Sequence, residues 1–156
     1  MSELLHHAYV FIVSMLPILE LRASIPLGAA LGLSIYTNYL VSVIGNFLPV
    51  PFILLFIRHI LVWMKTTRCF SRIAIWLEEK AQKYSDKVLR YATFGLFLFV
   101  AIPLPGTGAW TGALVAALFN LRMKYALPSI FFGVLAAGVI MSLASYGIVG
   151  MFNFFL

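Results

Sequence analysis

The chain has 156 residues, of which 63% are hydrophobic and only 10% are charged, against about 25% in an ordinary soluble domain. This composition excludes a typical soluble enzyme domain and allows one membrane domain with a few spans. The net charge of +6 does not indicate nucleic-acid binding, because every Lys and Arg except Arg22 lies within Arg58–Arg90 or at Arg122 and Lys124. The single cysteine, Cys69, excludes an intrachain disulfide.

Four apolar blocks follow one another along the chain, and their composition predicts an all-α integral membrane protein. The blocks are Ala8–Ile35, Tyr39–Ile57, Phe94–Leu121 and Ala126–Leu156. We expect the first block to be interrupted at Glu20–Arg22 and at Pro26, and the third at Pro103–Gly108. The second block has the length of one full span.

Glu20 and Arg22 are two opposite charges inside the first apolar block. A charged residue at membrane depth costs about 2.5–3.5 kcal/mol even on lenient insertion scales, so such a pair is expected to be paired, hydrated or functional. Glu20 is open to two roles: an ion pair with Arg22, which requires a break in the helix, or a group that takes up and releases a proton. A static ion pair that only stabilises the fold is the structural alternative.

Lys65–Tyr91, between the second and third blocks, has apolar residues at helical spacing on one face and charges on the other. The pairs Glu79–Lys83 and Asp86–Arg90 have the supportive i,i+4 order. This pattern predicts an amphipathic linker helix on the membrane surface, and its positive charges place it in the cytoplasm.

The same rule favours re-entrant hairpins for the two interrupted blocks. A full crossing by the third block would put Arg122 and Lys124 outside, whereas a hairpin that dips in and returns keeps them inside. We therefore predict two inverted repeats, residues 1–64 and 92–156, each a broken helical hairpin followed by a transmembrane helix, joined by the linker at 65–91. The similarity of Pro26–Gly32 to Trp110–Ala116 supports the repeat. The alternative is a single tilted crossing by the first block.

Two breaks that enter from opposite sides would face each other and enclose a polar cavity. The N-terminus of each returning arm would then direct free N–H groups at the cavity, Arg22 would add a positive charge, and the glycines would let a ligand approach the backbone. These features favour an anion, and a phosphate group suits Arg. The predicted substrate-binding residues are Arg22, Glu20, Ser24, Pro105, Gly106, Thr107, Gly108, Thr111 and Asn46, with Glu20 also predicted to couple a proton.

No sequence pattern indicates an enzyme, a cofactor or a metal site. His6 and His7 lack a third ligand at a suitable spacing, and no catalytic triad, P-loop or dinucleotide fingerprint occurs.

The segments Glu20–Gly28 and Pro103–Gly112 resemble the signatures of the prokaryotic "putative small multidrug export protein" family, and the resemblance covers nearly the whole chain. That family is similar in layout to the DedA (VTT-domain) superfamily. The DedA likeness implies facing re-entrant hairpins and a lipid flippase role, with undecaprenyl phosphate as an implied substrate.

Three functions follow from these patterns. The first is an inner-membrane, multi-pass transporter or flippase for an anionic, phosphate-bearing lipid or a small anion, with proton coupling through Glu20. The second is a small multidrug exporter of lipophilic cations that uses Glu20, which the adjacent Arg22 disfavours. The third is a non-transporting membrane scaffold. A homodimer is left open, with Gly28/Gly32 and Gly112/Ala116 as candidate contact faces.

Overall fold

The computed structural model describes residues 2–66, 86–119 and 121–155, and all regular structure within these ranges is helical. Most of the predicted amphipathic linker, together with Cys69, lies outside the described residues. The helices are α1 Ser2–Met15, α2 Glu20–Ala30, α3 Ile35–Phe47, α4 Val50–Thr66, α5 Asp86–Ala101, α6 Ala109–Leu118 and α7 Met123–Phe155.

The break in the first apolar block lies at residues 16–19, before the charged pair and not at it. The expectation of a break at Glu20–Arg22 is therefore wrong, and Pro17 explains the difference, because a proline disfavours helical geometry at the residue before it. The expected break at Pro26 is also absent, since α2 continues through that residue. The second predicted break is found at residues 102–108, between α5 and α6.

The two returning helices, α2 and α6, end in the same way. At the end of α2 the Leu33 N–H donates to the Gly28 carbonyl (3.0 Å), and Gly32 has φ +76°, the left-handed conformation that glycine favours. At the end of α6 the Leu121 N–H donates to the Ala116 carbonyl (2.9 Å). These equivalent hydrogen bonds align Gly28 with Ala116. The sequence similarity instead aligns Gly28 with Gly112, which lies one helical turn earlier in α6.

Each half also has one close contact between its first helix and its third, and a glycine permits it. A Cβ added to Gly45 on α3 would lie 2.9 Å from the Phe11 carbonyl oxygen of α1. A Cβ added to Gly133 on α7 would lie 3.0 Å from the Phe97 carbonyl oxygen of α5. Gly45 and Gly133 are separated by the same number of residues as Gly28 and Ala116.

The exterior of the helical bundle is apolar, while several polar side chains are buried inside it. Large apolar residues such as Phe52 and Phe132 are 68% and 58% exposed. The buried polar and charged set comprises Ser14, Glu20, Ser24, Asn38, Ser42, Asn46, Ser129 and Ser142. Two helical segments among the described residues, Ile35–Ile57 and Met123–Gly150, are long and apolar enough to span a membrane. Contact of the exterior with lipid accounts for apolar side chains on the outside and polar side chains on the inside.

Candidate site at the two helix breaks

Glu20 begins α2 and is the only described residue other than glycine with a positive φ, at +46°. Its side chain is 5% exposed. A left-handed non-glycine residue costs about 1–3 kcal/mol and persists only where its surroundings hold it. The contacts of the Glu20 carboxylate must therefore compensate for both backbone strain and burial.

The Glu20 carboxylate caps the N-terminus of α6. The Ala109 N–H donates to Oε2 and the Trp110 N–H to Oε1, each over 3.1 Å. The residue that precedes α6, Gly108, has no side chain with which to cap the helix. Asn46 on α3 lines the same small cavity as the carboxylate. A buried negative charge is thus stabilised by charge-assisted hydrogen bonds at the positive end of a helix.

Gly108 is required at this contact for two independent reasons. Its φ of +127° lies in the region that L side chains rarely adopt. A Cβ at this position would also overlap the Glu20 carboxylate, with the carboxylate carbon only 2.8 Å away. The glycine in the second break therefore creates the space that the carboxylate from the first break fills.

Arg22 binds the same loop from the opposite helix. Its Nη2 donates to the carbonyl oxygen of Thr107 and, over 2.6 Å, to the Thr107 hydroxyl oxygen. That hydroxyl in turn lies 2.7 Å from the Ile102 carbonyl oxygen and 2.8 Å from the Leu104 carbonyl oxygen, and its single proton is donated to one of these two, which closes the loop on itself. Among the described residues Glu20 and Arg22 form no salt bridge with each other; each binds the second break instead.

Trp110 makes the third connection between the breaks. Its indole Nε1–H donates to the Met15 carbonyl at the end of α1 (3.0 Å), so one residue of α6 contacts both arms of the first hairpin. The sequence analysis did not predict this contact. The available signal was a tryptophan in the first turn after a Pro–Gly loop, since a buried indole N–H requires an acceptor.

A small cavity of about 10 Å³ lies beside these contacts, a volume that admits about one water molecule. Its polar lining comes from the predicted residues Glu20, Arg22 and Asn46, with Gly108 at its edge. Apolar residues complete the wall: Leu21, Val100, Pro103, Ala109, Val134, Ala137 and Met141.

The remaining predicted site residues lie elsewhere. Pro105 and Gly106 are exposed in the loop, and Thr107 contacts Arg22. Ser24 is fully buried on α2 but does not line the cavity, and neither does Thr111 in the first turn of α6. Within the described ranges no cluster of His, Cys, Asp and Glu could hold a metal ion.

The candidate contact faces Gly28 and Gly112 pack within the chain. A Cβ at Gly28 would overlap the Asn38 amide, and one at Gly112 would lie 2.6 Å from a Val100 methyl group.

The chemistry of the site follows from its charge balance. The N-terminus of α6 meets the Glu20 carboxylate, and a helix N-terminus carries about half a positive charge. Arg22 contributes a full positive charge on the same side. The arrangement is built around one negative charge, which the protein itself supplies through Glu20.

Comparison with known proteins places the chain in a family. No curated protein and no solved structure matches it, and the looser likeness to the DedA superfamily receives no support. The family model described as "Putative small multi-drug export protein" matches residues 20–140, a segment that begins at the Glu20 cap. The family model matches most of the chain, and the apolar helices suit a bilayer, so the chain is a membrane protein that belongs to this family.

Proposed function

We propose that this protein transports anions, and that its substrate replaces the Glu20 carboxylate at the N-terminus of α6. The observation that carries the proposal is the pair of 3.1 Å hydrogen bonds from the Ala109 and Trp110 N–H groups to Glu20. Backbone N–H groups at a helix N-terminus are a general anion-binding arrangement, and here an internal carboxylate occupies them.

Proton uptake by Glu20 would vacate the site for a substrate. A protonated Glu20 would leave Arg22 and the N-terminus of α6 without a compensating negative charge, which a phosphate or carboxylate group would supply. Arg22 can bind such a group through two parallel N–H donors. Anion binding and protonation of Glu20 are thereby linked, which gives the transport cycle a coupling mechanism.

The repeat of capping bonds and close contacts supports the proposed topology. The pairs Leu33/Leu121 and Gly45/Gly133 have the same separation along the chain. We propose that each half is a re-entrant hairpin followed by a span, with the second half inverted, as in many secondary transporters. Single cysteines at the exposed positions Thr37 and Lys124 test this topology. We expect an impermeant reagent to label Thr37→Cys from outside and Lys124→Cys only from the cytoplasm, and external labelling of Lys124→Cys would refute it.

The cavity beside Glu20 has a volume of about 10 Å³, which is too small for a substrate. Opening requires the two breaks to separate, which means releasing the contacts of Glu20, Arg22 and Trp110 with the opposite break. The proposed substrate is a phosphate-bearing anion, either a lipid headgroup moved as by a flippase or a small free anion.

Transport in proteoliposomes tests the proposal and distinguishes the two substrate sources. One assay follows a fluorescent phosphatidic acid between leaflets, and the other follows radiolabelled inorganic phosphate across the membrane. We expect activity in one of the two, its loss in Arg22→Ala, and loss of its pH dependence in Glu20→Gln. Wild-type rates in Arg22→Ala would contradict the proposal.

A second candidate is the export of lipophilic cations, which the description of the family favours. In that case Glu20 would bind the cation directly, so Glu20→Gln should abolish ethidium export while Arg22→Ala preserves or increases it. The satisfied hydrogen bonding of the carboxylate weighs against this function. If both variants fold and complement a deletion strain normally, the third candidate, a membrane scaffold, is favoured.

A further inference from the structure

One face of α3 carries a row of buried polar side chains at one-turn spacing. Asn38 and Ser42 are fully buried and Asn46 is 1% exposed. Residues four apart on a helix lie above one another, so these three form a continuous line along the helix. Burying polar groups costs free energy unless they find hydrogen-bond partners, so the row requires an explanation.

The outer end of the row reaches the surface at the start of α3. The Asn38 amide donates to the Tyr146 hydroxyl oxygen (3.0 Å), and the Tyr146 hydroxyl donates to the Leu33 carbonyl (2.7 Å). Ser34, which follows Leu33, is exposed and caps α3 by accepting a hydrogen bond from the Thr37 N–H. Thr37, about one turn further into the helix, is also exposed. Exposed polar groups therefore lie within about one turn of Asn38 at the start of α3.

The inner end of the row contacts the candidate site. The Ser42 hydroxyl donates to Asn38 Oδ1 (3.4 Å), and one turn further Asn46 lines the same small cavity as Glu20. Asn46 Oδ1 has no protein partner, and the same holds for the buried hydroxyls of Ser24 on α2 and Ser142 on α7. Buried polar atoms rarely remain unbonded, and ordered water is the usual partner in a polar interior.

The corresponding face of the second half is apolar. Ala126, Ile130 and Val134 on α7 occupy the positions that match Asn38, Ser42 and Asn46 at the separation of the Gly45/Gly133 pair. All three are buried, with at most 1% exposure. The repeat therefore has a polar row on one side of the site only.

We propose that the α3 row is the route by which protons reach Glu20 from the membrane face at the start of α3. Water bonded to the unpartnered Asn46 Oδ1 bridges the turn between Ser42 and Asn46. A proton enters from bulk water and is relayed by exchange, in which each hydroxyl or water accepts one proton and releases another to the next group. The Asn38 amide aligns the Tyr146 and Ser42 hydroxyls without carrying the proton, water passes it between them, and the last proton ends on a carboxylate oxygen of Glu20. The inference rests on the proposed function only in requiring that Glu20 takes up a proton.

The groups that face Glu20 define the end of this route. Arg22 on its own helix is the one charged side chain that lines the cavity with it in the described structure. The elements packed against it contribute the Asn46 amide, two backbone N–H groups of α6, and apolar side chains of α5 and α7. No second titratable group among the described residues of this cavity competes for the proton.

Time-resolved infrared spectroscopy of the full chain in nanodiscs tests the route without requiring transport. After a pH jump, the protonated carboxyl band that is missing in Glu20→Gln reports proton uptake. We expect Ser42→Val and Asn46→Leu to slow its appearance at least tenfold. Ile130→Val, at the matching position of the second half, and Ser14→Ala, a buried serine already bonded to the Phe11 carbonyl (2.7 Å), should retain the wild-type rate.

If Ser42→Val or Asn46→Leu fails to fold, milder variants at Ser42 still test the route. Ser42→Ala removes only the hydroxyl and should slow proton uptake at least threefold, while Ser42→Thr should restore the rate. Unchanged rates in Ser42→Ala and Asn46→Leu would overturn the route, as would the absence of any Glu20-dependent band in the wild type. A protein that protonates Glu20 through the row but moves no anion would retain this inference and refute the proposed function.

Discussion

The two halves of this protein share a helical framework but differ in chemistry at matching positions. Counted from the equivalent capping bonds, Glu20 and Gly108 occupy the same place, and both have positive φ. In the first half, Glu20 supplies a carboxylate at this position. In the second half, Gly108 has no side chain there, so the carboxylate of Glu20 fits against it. The breaks are therefore complementary, and a single acidic group serves both.

The third helix of each half extends this difference. The buried face of α3 is polar where the matching face of α7 is apolar. The site therefore has one carboxylate, which the first half supplies, and a buried polar row on one side only.

The largest loss of stability is expected when a side chain at Gly108 fills the space that the Glu20 carboxylate occupies. Gly108→Ala would place a methyl group on the Glu20 carboxylate and force a strained φ of +127°, so we expect a loss of about 3–5 kcal/mol of stability. Gly106→Ala is the matched control: its φ is +85° but no atom lies within 4 Å, so strain alone should cost about 1–2 kcal/mol. Thermal unfolding in detergent measures both variants. Equal losses would show that the carboxylate does not depend on Gly108.

The next prediction tests the shared framework. Gly45→Ala and Gly133→Ala should each destabilise by about 1–3 kcal/mol, because each added methyl would press on a neighbouring helix. Gly147→Ala on α7, with open space around it, should be neutral or gain about 0.5–1 kcal/mol. If chemical denaturation finds one of the first two variants tolerated and the other unfolded, the equivalence of the halves fails.

A smaller effect is expected where Arg22 contacts the second break. Arg22→Lys retains the charge but cannot reproduce the paired contact with the Thr107 carbonyl and hydroxyl, and we expect a loss of about 1–2 kcal/mol. Arg122→Lys, at an exposed position, should change stability by less than about 0.5 kcal/mol. The unfolding temperatures of the two variants test this prediction. Equal temperatures would show that the contacts of Arg22 with Thr107 do not stabilise the protein.

The smallest effect concerns Trp110. Trp110→Phe retains an aromatic ring but loses the hydrogen bond to the Met15 carbonyl, for which we expect a loss of about 0.5–1.5 kcal/mol. Hydrogen exchange of the α1 amides provides a second measurement, since their protection should fall if this contact secures the end of α1. Unaltered exchange would limit the role of Trp110 to packing.

The sequence predicted that the two breaks meet, because interrupted helices at membrane depth must be covered by protein or water. Glu20 and Arg22 do face the Pro–Gly–Thr–Gly loop, as expected. The hydrogen-bond partners of Glu20 and Arg22 could not be predicted in the same way, because they depend on the local backbone conformation. The cap by Glu20 requires its positive φ and the conformation of Gly108, and neither conformation can be deduced from residue types at these positions.

The position of the first break was mispredicted for a related reason. The charges were taken as the interruption, although Pro17 ends α1 and the charges then begin the next helix. The polar row on α3 was also missed, although the i,i+4 spacing of Asn38, Ser42 and Asn46 is present in the sequence. Its significance depends on which face of α3 is buried, and packing against α2 and α7 decides that.

The central claim is that Glu20 occupies the site of the transported anion, and a binding titration tests it most directly. Calorimetry of the nanodisc-embedded protein with a short-chain alkyl phosphate, in buffers of different ionisation enthalpy, gives both affinity and protons taken up. We predict that binding to the wild type takes up a proton, whereas Glu20→Gln binds at least tenfold more tightly without proton uptake. Loss of binding in Glu20→Gln, or an affinity equal to that of the wild type, would contradict the account.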